Sequence, residues 1–170
     1  MACQSSLTHG VTVDSFATLN CAGFFIIGPD LSAANGTQTG RYGIRIDNAI
    51  GVTVQNCKVK GYERGVRVSG SSTGVSITDV ETKKNTRYGA EVSGGASATL
   101  TRVQSINNGD EGWHISGSGT VEITNSLAYL NYKEGFYCLN CANVTIRDSQ
   151  ATENSQDTSG THQDVYIDTP

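Results

Sequence analysis

What the chain lacks narrows it first. No apolar run approaches the length that spans a bilayer. Residues 1–15 show neither the charged start nor the long apolar stretch of a secretory signal, so a secreted or periplasmic location would require a signal already removed. Positive charge is scarce: 12 Lys and Arg stand against 16 Asp and Glu, for a formal charge of −4. With a pI near 5.3, that balance argues against a nucleic-acid partner. The five cysteines are Cys3, Cys21, Cys57, Cys138 and Cys141. Their odd number and uneven spacing do not form a disulfide framework. Cys138-Leu139-Asn140-Cys141 has the form CxxC, but the second pair or the histidines that zinc needs are missing. Cys57 and Cys138 fall on inward positions of the repeat described next, so the cysteines are read as buried free thiols that behave as small hydrophobes.

What is present is a repeat. The triplets beginning at Val52, Val75, Ala98, Val121 and Val144 start 23 residues apart each time, and each alternates apolar, polar, apolar. That is the period-2 signature of a half-buried strand. A second series precedes it, starting at Ile44, Val66, Ala90, Trp113, Phe136 and Val165. Self-similarity at such a period means a solenoid.

One coil can be laid out from its second strand, taking Val75 and its equivalents as position zero. Position +4 is Asn56, Asp79, Arg102, Asn125 and Asp148. Asn and Asp tolerate the left-handed backbone of a sharp bend, and Arg102 is expected to be strained there. Positions +5 and +7 are small or apolar and read as a third strand. Position +10 is Tyr62, then Asn85, Asn108, Asn131 and Asn154. Four asparagines at one register predict an inward ladder that satisfies the backbone of neighbouring coils. A glycine precedes each first strand (Gly43, Gly65, Gly89, Gly112, Gly135) and predicts positive φ or close backbone approach. Trp113 beside Ala90 and Ala98 is read as size compensation within the core.

Each coil thus holds three short strands and no helix, and the leucine framework of the rival leucine-rich solenoid is absent. The pattern resembles the right-handed parallel β-helix of the pectate-lyase-like superfamily over residues 16–168. The expected fold is all-β: a single domain spanning 1–170, about six coils of ~23 residues and three parallel sheets. Residues 1–15 are expected to cap the start, with Val11 and Val13 covering the first coil. Phe16-Ala17-Thr18 and Phe24-Phe25-Ile26 match later strands after a shift of 28. Leu19-Asn20-Cys21-Ala22 recurs as Leu139-Asn140-Cys141-Ala142, which places Cys21 and Cys141 on equivalent turns too far apart to pair. A Gly- and Thr-rich loop runs from Pro29 to Gly40, and the turn Ser155–Gln163 is a candidate cover for the last coil.

The outward residues of the first strand form the chemically rich row: Arg45, Arg67, Glu91, His114, Tyr137 and Tyr166. The resemblance implies that polysaccharide binds along this face and the turns before it. Lyases and epimerases of uronic acids need a base, a cation for the carboxylate and an acid for the leaving oxygen. Arg67, His114 and Tyr137 are the candidate catalytic residues, and Arg45, Glu91 and Tyr166 the candidate substrate-binding ones. The Asp-Pro-His motif of alginate epimerases is absent. Asp47, Glu91, Asp110 and Glu111 form no close pair of the kind glycoside hydrolysis requires. Glu111 and Glu134 stack on neighbouring coils, where like charge should raise one pKa or calcium could sit. No other cofactor is implied. Two other function classes stay open. Ile106, Leu127 and Tyr129 would make an apolar patch for a homo-oligomeric assembly module. The hydroxyl rows of the second strand would suit ice binding, though Gln55, Glu122 and Arg147 interrupt them.

Overall fold

The computed structural model describes residues 9–29, 40–141, 143–156 and 163–168. Cys3, Ala142, most of the Pro29–Gly40 loop and most of the Ser155–Gln163 turn lie outside the described residues. Seventeen strands, numbered along the chain, and no helices occur among the described residues. The first face stacks β1 (His9–Thr12), β4 (Tyr42–Asp47), β6 (Arg64–Ser69), β8 (Ala90–Ser93), β11 (Trp113–Ser116), β14 (Phe136–Leu139) and β17 (Val165–Ile167) in that order. Every pairing is parallel, as in β8 with β11, where Ala90 faces Trp113 and Glu91 faces His114. The chain therefore forms an all-β parallel solenoid.

The second face contains β2 (Thr18–Asn20), β9 (Ala98–Thr101), β12 (Val121–Thr124) and β15 (Val144–Arg147). The third contains β3 (Phe25–Ile27), β10 (Gln104–Ile106), β13 (Leu127–Tyr129) and β16 (Gln150–Thr152). In two coils a single strand runs through both faces: β5 (Thr53–Lys60) and β7 (Val75–Lys83). These two long strands join the second and third faces into one ten-stranded sheet, a continuity that strand spacing alone did not suggest.

The corners explain the sequence pattern. Position +4 is left-handed in all five coils, with φ from 49° to 55°. Arg102 is among them, at φ 52°. Its guanidinium grips Asp79 of the coil before it at 2.7 and 2.8 Å. Two further corners are also left-handed. Asn48, Gly70, Gly94, Gly117 and Asn140 end the first strand, and Gly61, Lys84, Asn107, Leu130 and Glu153 end the third. Non-glycine residues there cost of order 1 kcal/mol each, so the neighbouring coils must hold them.

The asparagine ladder does this at the third corner. Asn85, Asn108, Asn131 and Asn154 are all buried. Each Nδ2 donates to the next Oδ1, at 3.0, 2.9 and 2.8 Å along the column. Each Oδ1 also accepts the backbone N–H of the residue one coil earlier, as from Asn108 to Asn131 at 3.1 Å. Asp164 ends the column, accepting both the N–H and the Nδ2 of Asn154. The pre-strand glycines pack against this column with ordinary φ. A Cβ on Gly112 would lie 2.7 Å from Asn131 Nδ2, so close approach and not positive φ selects glycine there.

Trp113 is 1% exposed in the core, paired with Ala90 and stacked on Phe136. Burying such a side chain contributes roughly 3 kcal/mol.

Several expectations need correcting. His9 pairs with Tyr42, Thr18 with Thr53 and Phe25 with Lys58. Residues 9–12 are thus a strand of the first face and not part of a cap, and the shift of 28 placed the first coil wrongly. Cys21 follows a second-face strand, so it is not equivalent to Cys141. It sits one coil from Cys57, Cα–Cα 4.8 Å, and the two form a disulfide; the coil spacing itself lies within disulfide reach. Cys138 and Cys141 form a second disulfide, Cα–Cα 5.9 Å, because left-handed Asn140 turns Cys141 back inward. Neither pair is a free thiol.

Candidate functional site

The first face carries all six predicted site residues in one row, set by the strand register. Arg45 pairs with Arg67, Arg67 with Glu91, Glu91 with His114, His114 with Tyr137 and Tyr137 with Tyr166. Arg67 is therefore two strands, about 10 Å, from His114. The three candidate catalytic groups line up but do not converge on one point.

Two chemistries divide the row. At the aromatic end, rings stack face to face across coils. Tyr88 lies 4.3 Å from His114, His114 5.2 Å from Tyr137, and Tyr137 5.2 Å from Tyr166, with interplanar angles of 7°, 16° and 12°. Their faces are covered by one another; Tyr88 is buried at 4% exposure, and His114, Tyr137 and Tyr166 show solvent their edges and polar tips. Tyr166, 41% exposed, is where the column opens to solvent. His9 and Tyr42 make a second stack, at 4.8 Å. Arg64 and Arg67 lie over the Tyr42 ring at 5.3 and 4.9 Å, and Arg87 over the Tyr88 ring at 4.5 Å.

At the cationic end nearly every charge is already matched. Glu91, buried at 7% exposure, takes Arg64 at 3.1 Å and Arg67 at 3.3 Å on one oxygen. Its other oxygen accepts Ser93 at 3.2 Å. Its carboxylate lies inside the face, where it holds two arginines. Arg45 holds Asp47 at 2.9 Å and approaches His9 at 3.3 Å. Hydrogen bonding from Ser69, then from Arg45, keeps the Asp47 carboxyl below its ordinary range. Buried Glu63 takes Arg64 at 3.4 Å and Arg87 at 3.6 Å, and accepts the N–H of Gly40. Arg87 is the loosest of these, its side chain 44% exposed and its contacts to Glu63 and Asp110 at 3.6 and 3.7 Å.

Under the ring column lie titratable groups that the row did not reveal. Burial, followed by the charge of Asp110, pushes the Glu111 carboxyl up to about 7. The stacked Glu134, anticipated from sequence as the perturbing charge, also raises it, but less than burial and Asp110 do. Burial, then Arg87 and Arg64, pushes His114 down to about 4. His114 Nδ1 is 3.9 Å from Glu111 Oε2. Near neutral pH the imidazole is uncharged and the carboxyl is partly protonated. At 3.9 Å the two do not share a hydrogen bond, and His114 alone is a weak base. Burial also raises Tyr137 and Tyr88, which stay protonated phenols. The described residues contain no group of three or more His, Cys, Asp or Glu side chains placed to hold a metal ion.

Two grooves run along the solenoid elsewhere, each at a left-handed corner. One, of about 870 Å³, is lined by Asn56, Asp79, Arg102, Asn125 and Asp148 between the second and third faces. The other, of about 690 Å³, is lined by Gly61, Lys84, Asn107 and Leu130 after the third face. The expected patch Ile106–Leu127–Tyr129 is only partly exposed, and Tyr129 is tied to Glu153 at 3.2 Å.

A family model described as the right handed beta helix region matches residues 33–165, and the chain belongs to that family. Among solved structures, the crystal structure of pectate lyase Pel9A superposes with a TM-score of 0.66 at 17% identity, covering 88% of this chain and 44% of that one. The likeness is one of fold, and this chain spans less than half of that protein's length. No curated protein sequence matches it significantly. No helix among the described residues is long and apolar enough to cross a membrane.

Proposed function

We propose that the first face binds an extended carbohydrate. The observation that carries this is the column His114–Tyr137–Tyr166, stacked on buried Tyr88, whose polar edges recur once per coil at 5.2 Å. That spacing offers about one hydrogen-bonding tip per sugar ring. Because the ring faces are occupied, recognition falls to the tyrosine hydroxyls and the imidazole edge, with Tyr166 as an open platform. Arg45 and Arg67 are already paired. A preference for acidic sugars, the finer reading of the arginine row, therefore rests on Arg87, whose loose contacts a ligand carboxylate could replace.

The test is a pair of variants. Tyr137→Phe keeps the stack and removes one hydroxyl, and should weaken glycan binding about fivefold. Tyr137→Ala should weaken it more. If wild type binds neither neutral nor uronate polysaccharides at millimolar concentration, the reading fails. Rising ultraviolet absorbance on uronate polymers would add lyase activity, with Glu111→Gln expected to abolish it.

An assembly module is the second reading. Edge strand β17 exposes Val165, Tyr166 and Ile167 at 43%, 41% and 51%, an area that a second copy could cover. Light scattering above the 17.9 kDa chain mass, lost on Ile167→Lys, would favour it.

A further inference from the structure

The third face carries a cluster that the first face does not explain. Phe25 of β3, 37% exposed, stands outward beside Lys58. Three ammonium groups converge on its ring: Lys58 at 5.4 Å, Lys60 at 5.0 Å and Lys83 at 5.3 Å from the centroid. Their strands are neighbours, with Lys60 paired to Lys83. All three lysines are half-buried. Lys83 has a carboxylate partner in Glu81. For Lys58 and Lys60 no salt bridge to a carboxylate occurs among the described residues.

Solvated lysines that only repel one another would splay apart. Here the ring's negative face draws them together and concentrates positive charge in a chain whose formal charge is −4. The cluster also sits on a ridge between the two grooves. Lys58 lines one and Lys60 the other, so a chain-like ligand can reach it along either corner.

We propose that this ridge is an anion-binding site for a polysaccharide bearing carboxylate or sulfate groups, gripped by Lys58 and Lys60, which stand two residues and about 7 Å apart along β5. The choice of a glycan rests on the reading of the first face; the choice of an anion does not. The amines act as point charges, so the site requires density of negative charge more than bidentate geometry.

The experiment titrates the full chain with polygalacturonate, dextran sulfate and unsubstituted dextran at low and high salt. The expected result is binding of at least one polyanion that salt weakens. The double variant Lys58→Ala/Lys60→Ala should lose about tenfold in the salt-sensitive affinity, while Lys58→Arg/Lys60→Arg should retain it. Thermal melts check that each variant folds. Binding of only the uronan or only the sulfated polymer would identify the group recognised. Equal polyanion affinity in the double alanine variant and wild type, or no polyanion binding at all, would overturn the proposal. Loss in Tyr137→Phe but not in the lysine variant would assign the anion to the first face instead, which leaves the first-face reading intact and removes this one.

Discussion

The first and third faces are built on the same backbone, one strand per coil at one register, yet they handle charge in opposite ways. On the first face Glu63 and Glu91 are buried beneath the arginines and neutralise them from inside. On the third face Lys58 and Lys60 gather over a phenyl ring, and among the described residues neither forms a salt bridge. The difference teaches that a row of cations read from sequence is not yet an anion site. What decides is the residue one coil away. The first face is left to recognise ligands by hydroxyls and ring edges, and the third by charge.

The comparison can be broken most forcefully at Glu91. Glu91→Gln leaves two arginines of the first face without their shared carboxylate. Breaking such a buried pair should destabilise by about 3 kcal/mol, read from denaturant midpoints. The same variant should make the first face behave like the third, gaining salt-sensitive binding of polyanions. If stability is unchanged, Glu91 is not what neutralises the face.

Asn131→Ala tests what both faces share. It orphans the Asn108 N–H and removes one partner each from Asn108 Nδ2 and the Ser105 carbonyl, and should cost about 2–3 kcal/mol. Ligand binding by the folded fraction should be unaltered. A cost below about 0.5 kcal/mol would mean that the ladder does not hold the third corner.

A finer difference appears in pH dependence. Native Glu111, raised from 4.5 to about 7, keeps a proton that the unfolded chain has lost. It therefore reduces stability progressively as pH rises through that window. Native His114, lowered from 6.5 to about 4, rejects a proton that the unfolded chain accepts, so its effect reduces stability as pH falls through 6.5 toward 4. Between about pH 5 and 7 the two slopes oppose and the wild type should be nearly flat. His114→Phe keeps a stacked ring and removes one slope. The variant should then be more stable at pH 5 than at pH 7 by about 2 kcal/mol, measured by denaturation at the two pH values. A flat variant would contradict the burial assigned to Glu111. Among the described residues the third face carries no such pair, and it should show no matching dependence when Lys60→Ala is compared in the same way.

Sequence made the coil legible to the extent that a position demanded one kind of residue. The position +4 corner drew Asn and Asp, and the inward corner drew asparagine four times. The third left-handed corner was invisible, because Lys84, Asn107, Leu130 and Glu153 have no side-chain chemistry in common; the ladder beside them imposes the bend. The first coil misled because its extra residues fall between the faces. Thr18-Leu19-Asn20 then belongs to the second face, and Cys21 comes to lie against Cys57. The outward row of the first face was legible from register alone. Its electrostatics were not, since Arg64 and Arg67 reach across a coil to Glu91, and the Glu111–His114 pair depends on burial that no spacing reports.

The central claim is that the first face recognises an extended glycan through the outward tips of a closed ring column. It is tested most directly by titrating neutral and uronate oligosaccharides into wild type and Tyr137→Phe while following backbone amide shifts. The account predicts shifts along β11, β14 and β17 that change little with salt, and about fivefold weaker binding in the variant. Shifts confined to the third face, or identical affinity in the two proteins, would contradict it.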